Sequence, residues 1–597
     1  MREPRTASNI LRQVFDRISP ARIMWAFVFF GSFIVYLITL APTVTFWDSG
    51  DLISASWCLG ISHQPGYPVM GMIGKLFSFL PLGNIAYRAN LQSAFFSSLS
   101  LLVLYFILLE ISDRPLLCAM AALLPAFVKP LWSQAVVTKP LALNGFFISA
   151  LVYAWALAAR GKLSPERYFA LSGFLFGLGL VNHESLVLYA PALIISWAVL
   201  PLPDSARRIE LALLSIFFIA LGLSVYLYLP LRAAALPVMN LGHPDTWRRF
   251  AWTVKWGEYF RAGIPYKNLP MIFKSINLKD PRILLGLAAA LFLAWRALRR
   301  EPRLFLPVVV FMFVYVFGIA MQTTGGAGSR FGLAAKFYIP AFIMAVPFIY
   351  AESAELAGAS LNPLPRPISH KRARGESSAI HASREQNFNP LPGAGEGGER
   401  GTNIWKWLIS ALFAAAVVIL LLRNFHREDA SRRFFAFDYA ENSLKSAGEH
   451  GVLFTWGDNG AFPLWYLHDV EKYRDDAAVI HTPLMTYRWY LSDVQRWLGK
   501  KIDFLDPYYL GENVYRVLKA VTPARTVAYD YSTVRFLNLN TNTLHARGLV
   551  YYEGRVPPGN PWKFYVFRGV DNPKTYKGPM TKNIIQIYNY QRQVTGN

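Results

Sequence analysis

The stretch Ile23–Asp51 reads IMWAFVFFGSFIVYLITLAPTVTFWDSGD. Ile23–Leu40 carries no charge, Pro42 ends the run, and two carboxylates, Asp48 and Asp51, follow at once. An uncharged run of this length reads as a helix crossing a bilayer, and the polar segment behind it as a loop at the membrane surface. The basic segment Met1 to Arg22 precedes the run, and no small-residue cleavage site follows it, so the sequence predicts an uncleaved first helix.

The pattern recurs along the chain. Apolar runs occupy Ile23–Leu40, Leu91–Leu109, Leu116–Val128, Leu141–Ala159, Tyr168–Val181, Leu186–Leu200, Leu211–Leu231, Ile283–Trp295, Leu304–Met321, Phe337–Tyr350 and Ile404–Leu422. They predict a polytopic α-helical membrane protein of about 11 spans. Composition agrees, because a chain of 597 residues that is 54% hydrophobic and only 16% charged matches a membrane protein. The net charge of +23 does not point to nucleic acid, since Lys and Arg sit in short segments flanking the runs, where they set topology. Cys58 and Cys118 are too few, and too differently placed, for a disulfide framework, which leaves the redox compartment open.

With the basic N-terminus (1–22) cytoplasmic, the connections Asp113–Arg114, Arg160–Arg167, Asp204–Arg208, Arg296–Arg303 and Glu352–Lys406 are cytoplasmic, and all but the first are clearly basic. The outer set is then Ala41–Asn90, Lys129–Pro140, Asn182–Ser185, Arg232–Arg282, Gln322–Lys336 and everything after Arg423. This arrangement predicts a bacterial inner membrane protein with a membrane domain over 23–423 and a periplasmic domain over 424–597. Within the former, 41–90 is the first outer loop, and 360–402, rich in Pro, Gly, Ser and Arg and repeating Asn362-Pro363-Leu364-Pro365 at Asn389-Pro390-Leu391-Pro392, reads as a disordered cytoplasmic insertion. Beyond Arg423, strand-like blocks at Val452–Trp456 and Ala477–His481 and helical ones at Ala461–Lys472 and Tyr487–Leu498 predict an α/β extramembrane domain without a glycine-rich phosphate loop.

Every polar motif falls in the outer set. Trp47-Asp48-Ser49-Gly50-Asp51 follows the first run, and Ser62-His63-Gln64-Pro65-Gly66-Tyr67-Pro68 precedes the next apolar stretch. A half-desolvated carboxylate there can take a proton from a hydroxyl or hold a cation. Equally, Asp48 and Asp51 can cap the helix that Leu52–Leu59 would form. The outer basic residues Arg88, Lys129, Lys139, Arg232, Arg330 and Lys336 stand at span boundaries, at the depth of a lipid-linked phosphate, where an Arg offers a bidentate fork. Interfacial snorkelling explains the same placement. His63 and His183 can shuttle protons or serve as structural hydrogen bonders, and no spacing indicates a tightly held zinc.

The runs Pro42–Asp51, His63–Pro68 and Tyr87-Arg88-Ala89-Asn90-Leu91-Gln92-Ser93-Ala94 resemble the domain-of-unknown-function family 2723, the transmembrane protein 260-like family. The resemblance continues through Trp132-Ser133-Gln134, Asn182-His183, Tyr228-Leu229-Pro230-Leu231-Arg232, His243-Pro244-Asp245-Thr246-Trp247 and Gly457-Asp458-Asn459. It implies a membrane glycosyltransferase of the C superfamily, GT-C, moving a sugar from a polyprenyl-phosphate donor to a protein or glycan acceptor on the outer face. It places the catalytic base on Asp48, with Asp51 beside it. Trp47, His63, Arg88, Lys139, Asn182, His183, Glu184 and Arg232 are then candidates for donor or acceptor binding, Arg232 foremost for the phosphate. The resemblance fixes no cofactor and leaves open a divalent cation. The chain departs from the family pattern in carrying Asp51 for Glu, Lys139 for Glu and Gly460 for Asp. Lys139 can grip the donor phosphate, Glu184 can replace the missing acid, or the member has lost activity. A transporter or flippase of lipid-linked sugars and an inactive envelope scaffold are the alternative readings.

Overall fold

The computed structural model describes residues 20–255, 281–323, 339–356, 397–506, 508–522 and 524–596. The N-terminal basic segment up to residue 19, Arg330, Lys336 and the greater part of the predicted insertion lie outside the described residues. The insertion's expected end at Thr402 is corrected, because the chain is already helical from Gly397, in Gly397–Glu428.

Each apolar run lies in helix over its described residues apart from Thr39, Leu40, Val128 and Leu200 at run ends, yet the span count is lower than the runs suggest. Four helices among the described residues are long and apolar enough to cross a membrane: Ile85–Ile111, Pro140–Ala159, Ser205–Ala234 and Trp407–Glu428. A bent pair makes a fifth. The physical causes are local. Pro125 interrupts the run Leu116–Val128 with a tight 3₁₀ turn, and Pro115–Phe127 meets Lys129–Ala135 at 76°. The run Leu186–Leu200 opens as the 3₁₀ segment Glu184–Tyr189 and becomes α-helical only at Ala190–Val199. Pro165–Asn182 begins with Glu166 and Arg167, and its helix packs against Ser205–Leu223 through glycines. A Cβ at Gly173 or Gly177 would lie 2.5 or 2.3 Å from the carbonyl oxygens of Ser215 or Ile219, so these backbones approach as closely as small residues permit.

Alternate connections gather at opposite ends of the helices, as the charge pattern predicts. At one end Arg160 pairs with Glu301 at 2.9 Å, Arg207 with Glu166, and Arg296 with Glu355 at 3.2 Å. At the other end the first outer loop meets the later outer loops. Asn90 is the staple: its amide donates to the carbonyls of Ala41 and Thr43 (2.9 and 3.2 Å), and its oxygen accepts from the backbone N and hydroxyl of Thr138 (2.8 and 2.7 Å). One buried side chain thereby fixes the ground beneath Asp48 and beneath Lys139.

The C-terminal segment builds a five-stranded sheet in the order β2-β1-β3-β5-β4. Strands β1 (Val452–Thr455), β2 (Ala478–His481) and β3 (Val527–Asp530) are parallel, and β4 (His545–Arg547) and β5 (Val550–Glu553) extend the edge antiparallel. All four residues of β1, β2 and β3 are buried, as expected for parallel strands covered on both faces. Val452, Phe454, Val527 and Tyr529 face a core with Tyr490, Val494 and Val517. On the other face, Leu453 and Ala528 share a core with Leu464 and Tyr466, and also with Val44, Ile53, Ala86 and Ala89 from the first outer loop and the helix that follows it. The sheet unit and the first outer loop are therefore one packed body, with the carboxyl ends of β1 and β2 turned towards that loop.

Candidate active site

Asp48 stands at the N-cap position of the helix Ser49–Cys58, but its side chain makes no capping bond. Its Oδ2 accepts from Lys139 Nζ at 2.5 Å, and only 6% of the Lys139 side chain is exposed. The capping alternative is thus resolved in favour of an ion pair. Trp47 before it takes a left-handed backbone with φ of 67°, a conformation that costs a bulky residue about 1–2 kcal/mol. The strained backbone is held from far along the chain, since Trp47 N donates to Asn459 Oδ1 at 2.7 Å.

Asp51, in the first turn of the same helix, is fully buried. One of its carboxylate oxygens lies 2.5 Å from His63 Nδ1 and accepts from His63 N at 3.1 Å. Burial alone would lower the imidazole's proton affinity, but the charge of Asp51 and its hydrogen bond win and push His63 up to about 9. His63 is therefore a cation at neutral pH. Its ring stacks on Phe462 at 6.2 Å and meets Tyr67 edge-on at 5.2 Å.

Opposite this loop stands the helix Asp458–Trp465 behind β1. The approach is so close that a Cβ on Gly50 would lie 2.1 Å from the Phe462 carbonyl oxygen. Asp458 opens into the space between them. Burial, and next to it the neighbouring Asp48 charge, raise its carboxyl above the usual range. The resulting cleft is lined by Asp48, His63, Asp458 and Phe462 with Trp252, His481 and Trp489. A second cavity lies behind the Asp48–Lys139 pair, where Lys129, Lys139 and Arg433 join Trp47, Phe435 and Tyr576. Lys139 thus stands in the wall between an acidic, aromatic cleft and a basic cavity.

Four expected site residues converge here, Asp48, Asp51, His63 and Lys139, and Trp47 adjoins them. The remainder do not line the cleft. All three Arg88 nitrogens donate to carbonyls, those of Leu82 (2.8 Å), Ser78 (2.8 Å) and Gly83 (3.0 Å), so Arg88 closes its own loop. Arg232 is corrected likewise. It donates to Leu59 O at 2.6 Å and Cys58 O at 3.2 Å, the last carbonyls of the helix that Asp48 begins, where a cation also complements the helix dipole. Asn182 donates to Pro140 O at 3.2 Å, and the His183 ring accepts from Ser185 N at 3.2 Å beside Glu184. The His183 ring meets Tyr67 at 6.2 Å between rings. Asp458, Asn459, Phe462 and His481 were legible only as a motif without a role or as parts of a strand and helix.

A divalent cation does not fit this donor set. Among the described residues, no three His, Cys, Asp or Glu side chains converge for a metal ion, and the Lys139 ammonium already holds the Asp48 oxygen that one would need. The third departure is spatial: a Cβ at Gly460 would lie 2.6 Å from Thr455 Oγ1 and 3.1 Å from Asp530 Oδ2, so the Thr455–Asp530 pair fills that place.

The architecture is that of a multi-pass helical membrane protein. Its fold matches that of ArnT from Cupriavidus metallidurans, crystallised with undecaprenyl phosphate, with a TM-score of 0.52 over 90% of this chain and 99% of that one at 12% identity. At finer grain, residues 48–202 match the N-terminal domain of the protein O-mannosyl-transferase TMEM260, and residues 436–501 match a TMEM260-associated domain. The chain is similar to the protein O-mannosyl-transferase TMEM260 of Mus musculus, with 25% identity over 78% of this chain and 63% of that protein. It is similar also to the protein O-mannosyl-transferase tmem260 of Dictyostelium discoideum, with 22% identity over 78% and 57%. It spans less than two thirds of the length of either relative.

Proposed function

We propose that this chain is an integral-membrane glycosyltransferase that moves mannose from a polyprenyl-phosphate carrier to a hydroxyl of a protein, with the cleft and the C-terminal unit on the outer side of a bacterial inner membrane. The observation that carries the reading is the Asp48–Lys139 pair standing between an acidic cleft and a basic cavity. The names of the two relatives support mannose and a protein acceptor, and the lipid in the ArnT crystal supports a polyprenyl phosphate.

In this mechanism the carrier's phosphate enters the basic cavity and draws the Lys139 ammonium away from Asp48, with Lys129 and Arg433 completing its surroundings. Asp48, released, accepts the proton of the acceptor hydroxyl as that oxygen bonds to the sugar's anomeric carbon. The bond from that carbon to the phosphate oxygen breaks, and the leaving polyprenyl phosphate keeps the electron pair, its charge met by the three cations. The phosphate role is thereby moved from Arg232 to this cavity. Asp51 holds His63 and keeps a fixed positive charge beside the cleft. The testing experiment supplies polyprenyl-phosphate [¹⁴C]mannose and a Ser/Thr-containing protein domain to the purified protein. Label in the protein is expected, and labelled free lipid alone would return the reading to a transporter or a scaffold.

A further inference from the structure

One buried group in the cleft has no part in this mechanism. His481 ends β2, at the carboxyl edge of the parallel strands, where open α/β sheets hold their ligands. It is 5% exposed, it lines the cleft, and among the described residues neither ring nitrogen has a hydrogen-bond partner. The strand end is held by its backbone N, which donates to Tyr490 OH at 2.7 Å. The ring is fixed by Phe462 at 6.2 Å and Trp465 at 5.7 Å. Buried polar groups are normally satisfied, so a rigid, unpaired imidazole at the back of a cavity is prepared for a ligand.

The surroundings specify the chemistry of that ligand. Burial pushes His481 down to about 3, so the ring is neutral through the physiological range and presents one donor and one acceptor. A hydroxyl, which both donates and accepts, pairs with either tautomer. Trp252, Trp489 and Phe462 offer apolar faces, and the carboxylates of Asp48 and Asp458 oppose an anionic sugar.

We propose that His481 reads one ring hydroxyl of a neutral hexose held in the aromatic cleft, so that the C-terminal sheet, and not the membrane helices alone, sets sugar specificity. The inference rests on the glycosyltransferase reading for its context, but its test does not need transfer. The full chain, held in an amphipol without sugar headgroups, is titrated with methyl α-D-mannopyranoside and its 2-, 3-, 4- and 6-deoxy analogues, with heat of binding as the signal. The wild type is expected to bind the parent glycoside and to lose about tenfold in affinity for the analogue lacking the hydroxyl that His481 contacts. His481→Phe should bind the parent about tenfold more weakly and should lose the penalty for that one analogue while keeping the others. His481→Gln, which keeps a donor and an acceptor, should restore part of it. An unchanged pattern of penalties in a folded His481→Phe protein, or no saturable binding of any glycoside by the wild type, overturns the proposal. A preference for methyl glucosaminide over every neutral hexoside overturns the neutral-hexose assignment. Binding with this pattern in a protein that transfers no sugar would leave His481 in place and remove the transferase reading. Transfer with an unaltered pattern would do the reverse.

Discussion

Asp48 and Lys139 carry the most consequential pairing in the molecule, because each determines what the other can do. Asp48→Asn keeps the shape and can still accept a hydrogen bond from Lys139, but it cannot take the acceptor's proton. Transfer should fall by about 10²–10⁴ while donor binding persists. A wild-type rate in the Asn variant would remove Asp48 from the chemistry. The ammonium beside it leads to a second expectation: EDTA should leave the wild-type rate unchanged, because Lys139 supplies the positive charge that a cation would otherwise bring. Lys139→Glu sets a third carboxylate beside Asp48 and Asp458, and its activity, if any returns, should depend on added Mg²⁺ or Mn²⁺. EDTA-sensitive wild-type transfer would overturn this account of Lys139. Two of the three perturbed histidines line the cleft and give it a pH dependence of its own, the third being His468, raised by its hydrogen bond to Asp469 against the effect of burial. His63, raised to about 9, contributes stability that is complete below its unfolded value near 6.5 and is lost as pH rises through 9, on the order of 3 kcal/mol. His481, lowered to about 3, contributes stability that is present above 6.5 and lost as pH falls towards 3. Thermal midpoints should therefore peak near pH 6.5, and His63→Gln should reduce the decline on the alkaline side and leave the acid side unchanged. An alkaline decline that survives His63→Gln belongs to other groups.

Two short helices, Ser49–Cys58 and Asp458–Trp465, hold the cleft together by their contact at Gly50. Gly50→Ala puts a methyl group against the Phe462 backbone, which cannot rotate away, so the helices must separate. Overpacking of this kind costs about 1–3 kcal/mol, and here it also moves Asn459 off Trp47. Gly71→Ala, in the helix Pro68–Ser78 with nothing within 4 Å of the new Cβ, is the control and should be neutral or slightly stabilising. The expected result is a lower thermal midpoint and lost transfer for Gly50→Ala only; equal behaviour of the two variants would mean that the helices are not tightly docked. At this scale the limits of the sequence are also visible. Strands β1 and β2 fall within the short apolar blocks Val452–Trp456 and Ala477–His481, because that signal is local. The pairs that build the site are not local: 91 residues separate Asp48 from Lys139 and 412 separate Trp47 from Asn459, and no periodicity reports such contacts. Arg232 shows the same limit from the other side. A basic residue at a span boundary suits a phosphate in sequence, whereas only the fold reveals the Leu59 and Cys58 carbonyls waiting for it. The number of spans was overread for a comparable reason, since hydropathy registers Leu116–Val128 as a span although its helix Pro115–Phe127 ends in a 76° bend into Lys129–Ala135.

Across the whole molecule, the proposed chemistry needs the cleft, the basic cavity and the C-terminal sheet on one side of the bilayer, and that requirement can be tested without any substrate. The ion pairs Arg160–Glu301 and Arg207–Glu166 gather one set of connections at the end opposite Asp48. In the proposed orientation the basic connections are cytoplasmic and Asp48 is outside. Ser62 lies in the outer loop but is 2% exposed, so a cysteine there would resist labelling on either side and report nothing. Leu82, 47% exposed, and the exposed Thr486 are suitable outer positions, and Lys162, with 57% of its side chain exposed, is a suitable inner one. In a Cys58→Ser, Cys118→Ala background, single cysteines at Leu82 and Thr486 should react with a membrane-impermeant maleimide in intact spheroplasts. A cysteine at Lys162 should react only after lysis. Labelling at Thr486 without labelling at Leu82 would separate the sheet from the first outer loop, contradicting the core that Val44 and Ile53 share with Leu453 and Tyr466. Labelling at Lys162 alone would invert the protein, leaving Asp48 on the cytoplasmic side, and the donor would then have to be sought among lipids exposed there.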